Sequence, residues 1–265
     1  KKKKKDGSPG PQSSKSFPAV SGRYHLYVSM ACPWAHRTLI FRVLKGLEAH
    51  ISVSVVHPDM LENGWEFRPD NAAPSDNING KRYLHEVYTT DTADYTGRVT
   101  VPLLWDKEQG VIVSNESAEI IRMFNSAFDD LEGVDPGLDF YPEQLRADID
   151  AVNDRVYNTV NNGVYKAGFA TAQDAYEKAY GELFESLDWL DQRLSQSRYL
   201  ISSELTEADW RLFTTLIRFD AVYYSHFKCN RQRLADFPHL SGYLRELYQV
   251  PGVAGTVDIG QIKRQ

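Results

Sequence analysis

Cysteine is scarce in this sequence: 265 residues hold two, Cys32 and Cys229. Two cysteines build no disulfide framework, and a chain of this size needs none. Unpaired thiols point to a reducing compartment, so the cytoplasm is the expected location. Long apolar runs are missing as well. No stretch reaches ~18 consecutive apolar residues, so no membrane-spanning helix is expected. The N-terminus lacks the apolar core of a secretory signal, because Lys1–Lys5 lead into the polar run DGSPGPQSSKS. Positive charge is in deficit: the formal net charge is −6 although five lysines open the chain. An acidic body offers no basic face to a nucleic-acid partner. The histidines are scattered and no His/Cys spacing matches a zinc site, so no metal is expected. No internal repeat is evident.

What is present supports a globular chain of two domains. Apolar residues make up 42% of it, enough for a sizeable core, and the length fits two ordinary domains. Residues 1–22 are expected to form a disordered arm. Tyr24–Ser29 (YHLYVS) is rich in strand formers. Pro33 suits the first turn of a helix, and Leu39, Ile40, Val43, Leu44 and Leu47 then mark one apolar helical face through Ala35–Leu47. Ile51–Val56 (ISVSVV) reads as a second strand, parallel to the first across this crossover. Asp59–Thr96 is polar and reads as a long irregular loop; loops of that length usually carry function. Val101–Trp105 and Val111–Val113 read as a hairpin, followed by a helix at Glu116–Phe128.

That order, β-α-β-β-α or β-α-β-β-β-α with a short extra strand, gives a mixed sheet of the thioredoxin type over residues 23–128. Pro102 at a strand start suggests a cis bond from Val101. Asp129–Pro142 reads as a linker. Residues 143–265 are expected to be all helical, with helices at Glu143–Asn161, Ala172–Ser195, Ala208–His226 and Leu240–Gln249. Thr206 and Asp209 form a helix-start signature.

Cys32 is the centre of the chemistry. It lies between a strand and a helix, where unpaired amides and the positive end of the helix dipole favour thiolate over thiol. The alternative is a buried small hydrophobe. The motif is Cys32-Pro33-Trp34-Ala35, so the second sulfur of a Cys-x-x-Cys pair is absent. A dithiol enzyme resolves its mixed disulfide with that second cysteine; here the resolving thiol comes from outside, and glutathione is the abundant candidate. Its γ-glutamyl carboxylate fits a helix start, which Ser114-Asn115-Glu116-Ser117 supplies, with the Ser117 hydroxyl adding a hydrogen bond and Glu116 pairing with the α-amine. Helix capping by itself also accounts for Glu116 and Ser117. Val101 can offer its backbone to the cysteinyl part as an added strand would. Trp34 is expected at the rim of the site, His36 and Arg37 on the solvent side of their helix, and Cys229 in a structural role.

The stretches SMACPWAHRTLIFRVLKGLE, YTGRVTVPLLWDKEQGVIVSNESAEIIRMFN, VNNGVYKAGFA and HFKCN resemble the glutathionyl-hydroquinone reductases, the Xi class of glutathione transferases, almost continuously from Tyr24 to Ile259. The resemblance implies a glutathione transferase fold and a catalytic Cys32. It implies glutathione contacts from Trp65, Arg98, Val101, Glu116 and Ser117, and an aromatic substrate pocket from Tyr165, Tyr223 and His226. It also implies a homodimer, with glutathione and a glutathionyl-hydroquinone as substrates. Members of that family carry more chain before the first strand and beyond the position of Gln265, and their segment matching Pro74–Asp94 differs. Tyr165 and Tyr223 then act on the ring oxygens as proton donors. Three other functions compete. An omega-like thiol transferase or dehydroascorbate reductase would use the same thiol on other disulfides. A non-enzymatic glutathione-fold protein would have no use for Cys32, Glu116 and Ser117 together. A conjugating transferase would activate glutathione with Ser or Tyr.

Overall fold

Strand β1, Tyr24–Val28, is buried along its whole length, as its run of aromatic and branched side chains allows. The computed structural model describes residues 16–69 and 75–264. The chain divides into two units, Lys1–Leu138 with Gly255–Gln265, and Asp139–Ala254. In the first unit, helix α1 (Pro33–Leu44) crosses over to strand β2 (Ile51–Val55), which lies parallel to β1 with Tyr24 opposite Ile51. Helix α2 (Leu84–Asp91) comes next, then strands β3 (Leu103–Asp106) and β4 (Val111–Ser114), then helix α3 (Ser117–Ser126). The sheet order is β2-β1-β3-β4, with β3 antiparallel to both neighbours. The Val101–Pro102 bond, just before β3, is cis.

Helix α2 corrects the sequence reading, which left Asp59–Thr96 irregular. Leu84, Val87 and Tyr88 bury one short face, and the Glu86 carboxylate accepts the Tyr83 amide at 2.8 Å to start the helix. Bridges Leu61–Gly64 and Glu66–Tyr83 order more of that segment, of which residues 70–74 lie outside the described residues. The connectivity is therefore β-α-β-α-β-β-α. Of the arm expected over 1–22, residues 1–15 lie outside the described residues. Residues 16–22 are anchored at two points: Phe17 is buried, and the Tyr24 hydroxyl donates to the Pro18 carbonyl at 2.7 Å. The stretch expected as a linker also packs on the first unit. Buried Lys45 donates to the carbonyls of Asp135 and Leu138, both at 2.7 Å.

The second unit holds α4 (Arg146–Val156), α5 (Gly163–Gly168), α6 (Gln173–Leu194), α7 (Glu207–Arg218) and α8 (Leu240–Gln249). Single π-helical turns at Tyr157–Asn161 and Phe219–Tyr223 interrupt the helices expected at Glu143–Asn161 and Ala208–His226. The last helix, α9 (Ile259–Arg264), belongs to the first unit, where the sequence placed it with the helical half. The reason is a set of polar contacts: His36 Nε2 lies 2.7 Å from Thr256 Oγ1, and Arg264 donates to Asp59 at 2.8 Å.

Asp209 organises the start of α7. Its carboxylate accepts the amides of Thr206 (2.8 Å) and Leu200 (3.0 Å) and the hydroxyls of Thr206 (2.9 Å) and Tyr243 (2.8 Å), fully shielded from water. Removing the acceptor strands four buried donors. Asp209→Ala should lower unfolding stability by about 3 kcal/mol or more in urea denaturation; a change under about 1 kcal/mol would show that the donors find other partners.

Candidate active site

Between β1 and α1 the chain turns tightly, with the Cys32 amide donating to the Ser29 carbonyl at 3.2 Å. Cys32 is the N-cap of α1 in extended conformation, Pro33 takes the first helical position, and the His36 amide reaches the Cys32 carbonyl at 3.0 Å. The sulfur therefore sits at the dipole's positive end. Its residue is 8% exposed, outside any disulfide, with Sγ 3.8 Å from the Val101 carbonyl oxygen. The cis bond to Pro102 and the thiol thus meet at Val101.

Strand β4 delivers the second part of the site. Glu116 caps α3 and is exposed, and Ser117 opens the helix in a buried position. The first amides of a helix have no intrahelical acceptor, so this start suits a carboxylate. Trp65 is buried in the loop after β2, and its carbonyl accepts the Leu84 amide of α2 at 2.9 Å. Arg98 is exposed on the loop after α2.

The placement of His36 and Arg37 corrects the sequence reading, which put both towards solvent. Ala35 through Phe41 are all buried, so α1 has no solvent face over its first turns. His36 meets Thr256. Arg37 is 1% exposed, lies over the Trp34 ring at 4.5 Å and donates to Ser117 Oγ at 3.4 Å. It joins the helix bearing the thiol to the helix start at Ser117.

The second unit carries an aromatic cluster. Tyr165 on α5 and Tyr223 at the end of its π turn place their ring centres 6.0 Å apart, edge to face. His226 is exposed and touches the cluster through Phe227, at 5.4 Å. Phe227 lies 5.5 Å from Tyr165 and 5.3 Å from Tyr223, and Phe169, 69% exposed, lies 5.2 Å from Phe227. Sequence reasoning missed both phenylalanines, although GFA and HFKCN lay in the quoted motifs. Gly168 makes room for the cluster: a Cβ there would come within 2.4 Å of the Phe227 ring. Cys229 is fully buried, and burial pushes its thiol up to about 12. Among the described residues no group of three His, Cys, Asp or Glu could hold a metal ion, and no helix is long and apolar enough to cross a membrane.

A thioredoxin-type unit that starts a helix on a lone cysteine, with a helical unit after it, defines a glutathione transferase fold. Family models agree: residues 31–127 match the glutathione S-transferase N-terminal domain and 173–246 its C-terminal domain. The chain is 57% identical to the glutathionyl-hydroquinone reductase YqjG of Escherichia coli, over 97% of this chain and 78% of that one. The glutathione-bound structure of YqjG superposes with a TM-score of 0.94, covering 98% of this chain and 84% of that one. The glutathionyl-hydroquinone reductase PcpF of Sphingobium chlorophenolicum is 55% identical, over 93% of this chain and 78% of its own length. The Xi transferase of Phanerochaete chrysosporium superposes with a TM-score of 0.92 at 53% identity, covering 99% and 90% of the two chains. The chain belongs to the glutathione S-transferase family, among its Xi-class glutathionyl-hydroquinone reductases.

Two expectations follow from the site's packing. Gly168→Ala should force the Phe227 ring aside and cost about 1–3 kcal/mol of stability in chemical denaturation; wild-type stability would mean the ring yields freely. Iodoacetamide near pH 8 should alkylate Cys32 while leaving Cys229 intact in the folded protein, as read by peptide mass; equal labelling of both would contradict the buried state of Cys229.

Proposed function

We propose that the protein reduces glutathionyl-hydroquinones to hydroquinones at the expense of glutathione. One observation carries this reading: a single cysteine at the start of α1, with alanine where a resolving cysteine would stand. The Cys32 thiolate attacks the substrate's thioether sulfur and forms a Cys32–glutathione disulfide. The carbon–sulfur electron pair passes to the ring carbon. That departure is hard unless the ring first takes a proton to become its keto tautomer, which makes the leaving group an enolate that returns to hydroquinone. Tyr165 and Tyr223 donate to the ring oxygens and supply protons. A second glutathione then attacks the mixed disulfide, releasing oxidised glutathione and restoring the thiolate. The electrons balance: the thioether sulfur and one incoming glutathione thiol become the disulfide, while the ring carbon gains the electron pair and a proton. Two half-reactions imply ping-pong kinetics.

In this reading Val101 holds the cysteinyl part of glutathione by its backbone, Glu116 the α-amine and Ser117 the carboxylate, with Trp65 and Arg98 along the tripeptide. Tyr165, Tyr223 and His226 receive the aromatic ring, with Phe227 and Phe169 beside them. The relatives' names support the substrate class, and the scarcity of cysteine supports a cytoplasmic location. The homodimer rests on the family resemblance. The omega-like thiol transferase would share the thiol chemistry, but the tyrosine-bearing aromatic cluster favours a quinol ring.

The test is intact-protein mass after incubation with glutathionyl-menadiol. Wild type should gain one glutathione and release menadiol, further glutathione should remove the adduct, and Cys32→Ser should gain nothing. An adduct formed only from a small mixed disulfide would establish the thiol transferase instead. Tyr165→Phe and Tyr223→Phe should each slow adduct formation by about 10²-fold and leave its removal by glutathione unchanged; equal slowing of both steps would remove the tyrosines from ring protonation.

A further inference from the structure

One buried polar knot in the first unit has no part in the chemistry above. The Tyr88 ring, on α2, is 1% exposed. Its hydroxyl donates to the Thr100 carbonyl oxygen at 2.8 Å and accepts the Thr100 amide at 3.3 Å and Asn115 Nδ2 at 3.2 Å. A phenol offers one donor and two lone pairs, so all three are used. Asn115 Nδ2 also donates to Thr100 Oγ1 at 3.3 Å. Burial raises the phenol further above its ordinary range, so its donor persists at working pH.

The position of this knot gives it meaning. Thr100 directly precedes Val101, and Asn115 directly precedes Glu116. Thr100 spends both of its backbone polar groups on one side-chain hydroxyl, while the next carbonyl, that of Val101, faces Cys32 Sγ. The Tyr95 hydroxyl adds a brace on the same loop by donating to the Arg98 carbonyl at 2.8 Å. A single phenol therefore ties the segment ending at Val101 to the segment that opens α3.

We propose that Tyr88, with Asn115, is a positioning residue for glutathione: it fixes the spacing between Val101 and the Glu116–Ser117 helix start without touching the tripeptide. The inference rests on the reading above, in which those two places hold opposite parts of one ligand. A ligand gripped at two points is sensitive to their separation, so loosening the tie weakens binding rather than the thiol chemistry.

The test uses the full chain, wild type, Tyr88→Phe and Asn115→Ala, each held well below its own Tm. Glutathione affinity is measured by isothermal titration, KM for glutathione and kcat by steady-state turnover, and the Cys32 thiol by its iodoacetamide rate. Both variants should raise Kd and KM for glutathione by about tenfold, with kcat and the alkylation rate within about twofold of wild type. Asn115 is half-buried, so its variant keeps the test open should Tyr88→Phe fail to fold. A lower Tm with unchanged Kd and KM would make the knot a structural brace only and overturn the proposal. Slowed alkylation, or kcat falling as far as KM rises, would overturn it by placing the effect on the thiol. Absence of glutathione binding by wild type would sink the site assignment itself, and this inference with it.

Discussion

The placement of one thiol at the start of a buried helix is the constraint on which the first unit depends. Helix α1 is buried from Ala35 to Phe41, with two ionisable side chains inside it. A buried polar group is costly unless it finds a partner. His36 finds Thr256, beside α9, and Arg37 finds Ser117 and the face of Trp34. The contacts to Thr256 and Ser117 tie α1 to two different pieces of chain and so hold its N-terminus over the end of β1. Only then does the helix dipole act on one defined sulfur, and only then does the Val101 carbonyl fall beside it.

The two cysteines show how environment separates chemistry from packing. Both are thiols outside any disulfide. Cys32 has a helix start behind it and partial exposure; Cys229 has neither, and burial alone drives its thiol out of reach of ionisation. Under the proposed function, that difference lets a chain with two thiols run one-cysteine chemistry. In the proposed cycle the resolving sulfur arrives as a second substrate molecule. That reading asks the same unit for a carboxylate-binding helix start and a backbone edge at Val101.

Much of this was legible in the residues. Leu240–Gln249 is the helix its periodicity marks, and Thr206 with Asp209 starts α7 as their spacing suggests. The parallel β1–β2 pair, the hairpin and the junction at Cys32 were readable because strand, proline and apolar spacing agree there. Helix α2 was not, since Leu84, Val87 and Tyr88 mark too short a face amid polar residues for periodicity to register. The burial of His36 and Arg37 was hidden for a different reason: polar type argues for solvent, and only tertiary partners distant in sequence, Ser117 and Thr256, reverse it. The Tyr88 knot shares that origin, joining residues of α2, the loop before β3 and the turn before α3.

The two π turns were equally invisible, because an inserted residue leaves no mark in composition. Each turn closes an i to i+5 bond, Asn162 to Tyr157 at 3.0 Å and Tyr224 to Phe219 at 2.8 Å. One extra residue rotates everything after it by about 100° relative to an uninterrupted helix. Tyr165 follows the first wide turn and Tyr223 ends the second, so the facing of both rings depends on both insertions. Asn161 holds the first in place by donating from Nδ2 to Thr215 Oγ1 at 2.7 Å and to the Arg211 carbonyl at 3.2 Å on α7. Wide turns forfeit regular hydrogen bonding, and an edge-to-face aromatic pair returns only about 0.5–1.5 kcal/mol beyond its burial. Packing alone therefore gives a weak reason to keep two such turns beside the same ring cluster. Under the proposed function, facing two phenols towards one substrate ring would give a stronger one, and the irregular backbone would stand where those hydroxyls are used.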